Sequence, residues 1–150
     1  MYERSNVVTS YGRVANAETN PLQQVVMLYD GAIKFLQLAA TNIEARDFIH
    51  KSEHVNRALD IINYLQGILD FERGGDVAQT LDRLYTLVSM NVLRASAKLD
   101  AIEMRRAAQL LAPVRDSWDV VARSAGAGSI AANADSPDST PARLGRMVMA

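Results

Sequence analysis

Apolar side chains recur at spacings of three and four residues along several long stretches of the chain, and this period restricts the fold more than any other feature. One such series consists of Val55, Leu59, Ile62, Leu65 and Leu69. Residues at these spacings share one face of an α-helix, and a helix with one apolar face packs against other helices. A chain of 150 residues is long enough to bury a hydrophobic core of its own. The period therefore predicts an all-α fold in one domain.

Start signals and short breaks divide the apolar stretches into four helices. Asn20 and Pro21 mark the first start, because an asparagine side chain accepts a hydrogen bond from a free backbone N–H and proline has no N–H to satisfy. We expect the first helix at about 21–46 and the second at about 48–71. Since all the connections are short, neighbouring helices must be antiparallel, and the predicted architecture is an up-down four-helix bundle.

The later helices have signals of the same kind. Gly74 and Gly75 are expected to end the second helix, since glycine readily adopts the left-handed conformation of a helix end. Asp76 and Asp100, each followed three residues later by Gln or Glu, are typical caps for the third and fourth helices. Pro113 lies inside the fourth helical pattern, where it removes a backbone hydrogen bond, and it predicts a kink or a division of that helix.

The two ends of the chain lack the helical period. Residues 1–20 are expected to form an extended arm or short cap whose large anchors are Tyr2 and Tyr11. Residues 124–150 are rich in Gly, Ala, Ser, Asn, Asp and Pro, a composition that buries too little apolar area to offset chain ordering. The predicted organisation is an N-terminal arm, a bundle domain over 21–123 and a disordered C-terminal tail.

Three of the helices carry a second apolar stripe where a simple bundle helix would have charged residues. On the second helix this stripe comprises Ile61, Tyr64, Ile68 and Phe71. On the third helix it comprises Leu87, Met90 and Leu93, and on the first helix Leu28 and Phe35. Exposed apolar surface usually marks a partner site, and a groove between helices suits an amphipathic helix. The stripes could instead be covered by the arm, by the fourth helix or by a homodimer, and the period does not decide between these interpretations.

The segment 21–39 contains Leu28, Tyr29, Asp30 and Gly31, and it resembles the opening helix of the FliS-type flagellin secretion chaperones. Further matches to this family follow in order along the chain, among them Tyr11, Ala58, Ile62, Leu65, Gly74, Gly75, Leu84, Tyr85, Leu93, Ala95, Asp100 and Trp118. Each motif is short, but ordered matches at compatible spacing across four helices make the chain similar to this family from about Tyr11 to Val121.

The resemblance implies a four-helix bundle that binds the C-terminal segment of flagellin in apolar grooves, where that segment becomes helical. It also implies that binding blocks premature filament growth, that the complex is presented to the flagellar type III export gate, and that no catalysis or cofactor is involved. In this family the arm lies over the binding surface and moves on binding, which would make Tyr2 and Tyr11 a removable cover. Ser96 and Leu87 depart from the family pattern, in which asparagine and a second tyrosine are common.

Composition argues against several other classes of function. A formal charge of −1 offers no basic surface that would gather nucleic acid. The chain contains no cysteine, which excludes disulfides and thiolate metal sites. No stretch has the apolar length of a secretory signal or of a membrane span. We therefore expect a cytoplasmic protein without nucleic-acid partners and without membrane insertion.

Few residues invite a chemical interpretation. His50, Glu53 and His54 match the pattern H-x-x-E-H, but a zinc site also needs a third ligand and an enclosed pocket. A solvated helix start is the favoured interpretation, and no metal, cofactor or catalytic residue is predicted. Asp30 is a lone carboxylate and is assigned a structural, hydrogen-bonding role. The alternative to a chaperone is a phosphotransfer or signalling bundle, which would present one exposed histidine near a lysine.

Overall fold

The computed structural model describes residues 20–131, and all regular structure in this part of the chain is helical. The helices are α1 (Pro21–Glu44), α2 (Phe48–Gly67), α3 (Phe71–Lys98) and α4 (Ala101–Ala131). Connections of two or three residues join them, so consecutive helices run antiparallel. The predicted up-down four-helix bundle is confirmed. Tyr2 and Tyr11 of the arm, and residues 132–150 of the tail, lie outside the described residues.

Side-chain caps open the first and last helices as the sequence indicates. The Asn20 side chain accepts a hydrogen bond from the backbone N–H of Gln23 at 2.9 Å. The Asp100 side chain accepts one from the backbone N–H of Glu103 at 3.0 Å. Each bond satisfies an N–H group that has no partner inside its helix. The predicted starts of α1 and α4 are confirmed.

The boundary between α2 and α3 lies earlier than predicted. α2 ends at Gly67, and the Asp70 side chain caps α3 by accepting two backbone hydrogen bonds of 3.1 Å. The predictions that Gly74 and Gly75 end the second helix and that Asp76 opens the third are wrong. Gly75 instead interrupts α3 after its first turn with φ 50° and ψ −124°, a conformation that glycine adopts without a steric cost. The glycine pair marks a kink within α3 and not a helix end.

α4 is longer and less interrupted than the sequence suggests. It is assigned as a single helix through Pro113, so this residue does not divide it. Pro113 has no N–H to donate to the Gln109 carbonyl, and both residues lie on the exposed side of the helix. The helix also passes Ser124, where the tail was predicted to begin. Ala125 packs against the core, and this contact favours continuation of the helix beyond Ser124.

The core contains the faces that the helical period indicates. Its large buried side chains include Leu22, Val25, Tyr29, Leu36, Ile43, Val55, Ile62, Leu65, Leu81, Val88, Val92, Met104, Leu111 and Trp118. Val77 and Leu99 continue the apolar period of α3 but are exposed. Val77 lies in the turn that follows the kink at Gly75, and Leu99 adopts a left-handed conformation in the turn after α3, so both stand at the ends of the regular helix. α1 packs extensively against α2 and α4, whereas α3 contacts these two helices less closely.

Candidate docking surface

The most continuous exposed apolar surface lies on α3. Leu87, Met90 and Leu93 remain 49%, 55% and 56% exposed, respectively. Their spacing of three residues keeps them on the outer side of the helix, while Tyr85 and Val88 are buried in the core. Single exposed apolar residues are ordinary, but three in succession on one helix make a continuous patch. We call Leu87, Met90 and Leu93 the α3 strip.

The second stripe predicted on the second helix is divided between surface and core. Tyr64 is exposed, and so is Phe71, which begins α3. Ile68 is partly buried and packs against the core. Ile61 is fully buried, so its assignment to an exposed groove is wrong. α2 contacts α1 on one side and α3 on the other, and its buried face is therefore wide enough to include both Ile61 and Ile62.

The second stripe predicted on α1 belongs to the core. Leu28 and Phe35 are only 3% and 9% exposed, so their assignment to a partner groove is wrong. The Phe35 ring stacks on the His54 ring of α2 with centroids 6.0 Å apart. The Arg57 guanidinium lies 5.8 Å from the centroid of the same ring. Two closely packed neighbours, α2 and α4, cover both apolar sides of α1.

Two tyrosines of the family motifs meet in the middle of the core. The hydroxyl oxygens of Tyr29 and Tyr85 are 2.6 Å apart, and both side chains are fully buried. Burial raises the pKa of Tyr29 to about 12, because the phenolate would lose its hydration, although hydrogen bonds from Tyr85 and Trp118 act in the opposite direction. Burial likewise raises the pKa of Tyr85. The pair therefore joins α1 to α3 through a neutral hydrogen bond and offers nothing to a ligand at the surface.

Asp30 of the same motif forms an ion pair between α1 and α4. The Arg115 guanidinium donates to its two carboxylate oxygens at 2.7 and 3.3 Å, and this interaction raises the pKa of Arg115. Glu44 and Arg105 make a second pair between these helices at 2.6 Å. Gly31 is buried within α1. The predicted hydrogen-bonding role of Asp30 is confirmed, and the motif stabilises the bundle.

The two histidines make contacts at the turn between α1 and α2. His50 Nδ1 lies 2.6 Å from Asp47 Oδ2, and His54 Nδ1 lies 2.6 Å from Asn42 Oδ1. Both partners are acceptor oxygens, so each Nδ1 donates its proton. In the described part of the chain, no cluster of three or more potential His, Asp or Glu ligands could hold a metal ion. His54 thus joins α2 to the end of α1, and His50 bonds the residue that caps its own helix.

Some exposed apolar residues were not predicted. Ile102, Leu110 and Val120 on α4 are exposed, although the sequence indicated one apolar face on that helix. They do not follow one another at spacings of three or four, so the helical period contains no signal for them. They are scattered along α4 and do not form a strip like that of α3.

Comparison with known proteins places the chain in a family. The family described as "Flagellar protein FliS" matches residues 4–125. The flagellar secretion chaperone FliS of Salmonella typhimurium is 32% identical over 130 residues, which cover 83% of this chain and 96% of that protein. The flagellar secretion chaperone FliSB of Pseudomonas aeruginosa is 30% identical over 103 residues, covering 69% of this chain and 82% of that protein. FliS of Bacillus subtilis is 28% identical over 113 residues, covering 75% and 84%.

The family match agrees with the architecture and with the motif residues. The matched segment includes α1, α2 and α3 and most of α4. The relatives are named as chaperones and not as enzymes. No helix within residues 20–131 combines the length and the apolarity that crossing a bilayer requires. The chain therefore belongs to the FliS family of flagellar secretion chaperones.

Proposed function

We propose that this protein is a cytoplasmic export chaperone for flagellin. It binds the C-terminal helical segment of flagellin, prevents premature polymerisation and supports delivery to the flagellar type III export apparatus. The observation that carries the proposal is the α3 strip, which stays exposed on a bundle whose core is already filled by other residues. The names of the relatives, which are secretion chaperones, support the same role.

An amphipathic helix is the partner that best suits the α3 strip. The strip lies on a regular helix, so a partner helix can set its own apolar face, with residues at i, i+3, i+4 and i+7, against it. Each Å² of apolar surface removed from water contributes about 25 cal/mol, and this contribution offsets the ordering of the partner segment. Met90 adds an adaptable side chain that fits partners of different shape. A flagellin segment covered in this way is blocked from contacts with other flagellin subunits.

The N-terminal arm and a second copy of the chain are competing occupants of the same surface. Tyr2 and Tyr11 are the large anchors of the arm, and we propose that they cover the strip until flagellin displaces them. A homodimer that buries the strip would have the same effect. In either case the apparent affinity for flagellin falls by the fraction of chaperone whose strip is covered.

Calorimetric titration with the C-terminal segment of a flagellin from the same organism tests the proposal, together with circular dichroism of the mixture. We expect saturable binding near one to one and a gain of helix, because the segment folds as it binds. Leu93→Asp should abolish the binding, since a carboxylate in an apolar interface loses its hydration. Ile102→Asp is the matched control: it places the same charge at an exposed apolar position of α4 and should leave binding unchanged.

The opposite result has a clear meaning. If neither the full chain nor a chain without residues 1–12 bound the segment, the chaperone proposal would be abandoned in favour of a phosphotransfer or signalling bundle. The structure gives that alternative little support. His50 is exposed, but it lies in the first turn of α2 bonded to Asp47, and the neighbouring Lys51 contacts Ser96 instead. His54 is partly buried and bonded to Asn42. Equal loss of binding in Leu93→Asp and Ile102→Asp would mean that the strip is not the docking site.

A further inference from the structure

The α3 strip lies within a longer row of exposed residues that carries charge. The row consists of Arg83, Leu87, Met90, Arg94 and Lys98, all exposed, at successive spacings of four, three, four and four. With 3.6 residues per turn, these spacings keep the five side chains on one face of α3. Two apolar residues thus occupy the middle of the row, and basic residues stand at both of its ends.

The charge of this row is of one sign and is largely unneutralised. α3 contains no acidic residue between Arg83 and Lys98. Arg94 lies 3.4 Å from Glu103, a long pair in which half of the arginine side chain is exposed. Arg83 and Lys98 take part in no ion pair within residues 20–131. An exposed guanidinium or ammonium group of this kind is available to a carboxylate of a binding partner.

The arginines at the other side of the bundle are arranged differently. Arg105 and Arg115 of α4 each donate at short distance to a carboxylate of α1, namely Glu44 and Asp30. Those basic side chains serve the fold and are already paired. The contrast shows that the basic residues of α3 are not needed to hold helices together, except for the weak contact of Arg94 with Glu103.

We infer that the outer face of α3 selects an amphipathic helix whose apolar side is bracketed by acidic residues, an inference that rests on the proposed function. Arg83 and Arg94 are eleven residues apart, or about 16 Å along the helix axis. A partner helix lying along α3 therefore places its acidic residues about eleven positions apart, with apolar residues at two intermediate turns. The apolar pair Leu87 and Met90 supplies the contact area, and the basic ends supply register and choice of partner.

Three versions of one peptide test this inference. Each contains the C-terminal segment of flagellin, and the two positions that bracket its apolar face carry Glu, Gln or Lys. Exposed ion pairs are weak, so the two pairs together should make the Glu version bind about two- to thirtyfold more tightly than the Gln version and more tightly still than the Lys version. The difference should shrink as salt is raised, because the charges are exposed to solvent.

Charge reversal in the chaperone completes the test. The double variant Arg83→Glu with Arg94→Glu should invert the order of the three peptides. Lys34→Glu with Arg46→Glu is the matched control, since it changes the net charge equally at exposed positions outside α3 and should keep the original order. Circular dichroism establishes that both variants are folded.

Two results would overturn the inference, and they are distinguishable from each other. If all three peptides bound equally well at every salt concentration, charge selection would be excluded while the chaperone proposal stood. If none of them bound, both would fail. Inversion of the order by the α3 variant, and not by the control variant, is the result that supports charge selection by α3.

Discussion

α1 and α3 are both built with large apolar residues on two sides, but only α1 buries both sides. Leu28 and Phe35 on the second side of α1 are buried, whereas Leu87 and Met90 on the second side of α3 are exposed. Both helices contact the same two neighbours, α2 and α4, but α1 packs against them far more extensively. The difference teaches that a second apolar stripe has no fixed role. How closely the neighbouring helices approach decides whether it becomes core or exposed surface.

Polar contacts strengthen this difference between the two helices. Two ion pairs stabilise the contact between α1 and α4. Arg115 lies 2.7 Å from Asp30, and Arg105 lies 2.6 Å from Glu44. α3 is held to α2 by hydrogen bonds from Gln66 to the Asp82 and Thr86 side chains, both at 2.9 Å. Among the residues that the structure describes, the ion pair between α3 and α4 is the longer one of Arg94 with Glu103. α3 is thus fixed in position, yet Leu87, Met90 and Leu93 on its outer side remain exposed.

The largest expected difference in stability comes from replacing one leucine of each helix with aspartate. Leu28→Asp should prevent folding, because a buried, unpaired carboxylate costs more than about 4 kcal/mol, close to the stability of many domains. Leu87→Asp should change the free energy of unfolding by no more than about 0.5 kcal/mol, since its side chain is hydrated. Urea unfolding followed by circular dichroism measures both. Similar losses in the two variants would show that the comparison of α1 with α3 is mistaken.

The tyrosine pair that joins the two helices gives the next effect. Tyr29→Phe should lower the free energy of unfolding by about 1–3 kcal/mol, because it leaves Tyr85 and Trp118 without their hydrogen-bond partner. Tyr85→Phe should cost less, because Tyr29 keeps its bond with Trp118. The double variant should cost less than the sum of the two single changes, and urea unfolding of all three closes the cycle. Strict additivity would argue against a direct bond.

The same pair makes stability depend on pH in the alkaline range. The pKa of Tyr29 is about 12 in the folded protein and about 10 in an unfolded chain, so the folded state holds this proton more tightly. The stabilisation is complete below pH 10 and is lost as pH rises from about 10 towards 12, at about 1.4 kcal/mol per pH unit for this group. Urea unfolding at several pH values should show this slope in the native sequence and less of it in the double phenylalanine variant.

The difference in slope between the native protein and the double phenylalanine variant is the control for that measurement. Both proteins contain the same lysines and the same remaining tyrosines, so general alkaline effects cancel in the difference. An identical slope in the two proteins would mean that Tyr29 ionises as easily in the core as in water.

Much of this structure follows from local sequence signals, because those signals act over a few residues. A cap such as Asn20 or Asp100 needs only a backbone N–H two or three positions away, and the core faces follow from the period. Gly75 correctly indicated a residue with positive φ. Whether such a residue ends a helix or kinks it depends on its surroundings, and here the Asp70 side chain has already capped the start of α3. Boundaries were therefore less predictable than the helices themselves.

The docking surface was only partly predictable, for a different physical reason. The stripe over Leu87, Met90 and Leu93 is visible in the period, and it is exposed. The stripe with Leu28 and the residue Ile61 have the same appearance in sequence, but they are buried by the other helices of the bundle. Local spacing gives the direction in which a side chain points and contains no information on what lies there.

The smallest expected effect concerns the ion pairs that join α1 and α3 to α4. Arg115→Met should lower the free energy of unfolding by about 0.2–1 kcal/mol, because it removes a pair with two hydrogen bonds to Asp30. The effect should diminish at high salt. Arg94→Met, which removes the longer pair on α3, should give a smaller change, and thermal unfolding at two salt concentrations compares them. A larger loss of stability in Arg94→Met would contradict the conclusion that ion pairs stabilise the contact of α4 with α1 more than its contact with α3.

The most direct test of the central claim is photo-crosslinking to the C-terminal segment of flagellin. A photoreactive phenylalanine replaces Met90 in one variant and Val120, an equally exposed apolar residue of α4, in another. If the outer side of α3 is the docking surface, irradiation should join the segment to the variant at position 90 and leave the variant at position 120 unlinked. Crosslinking at position 120 without crosslinking at position 90 would contradict the claim.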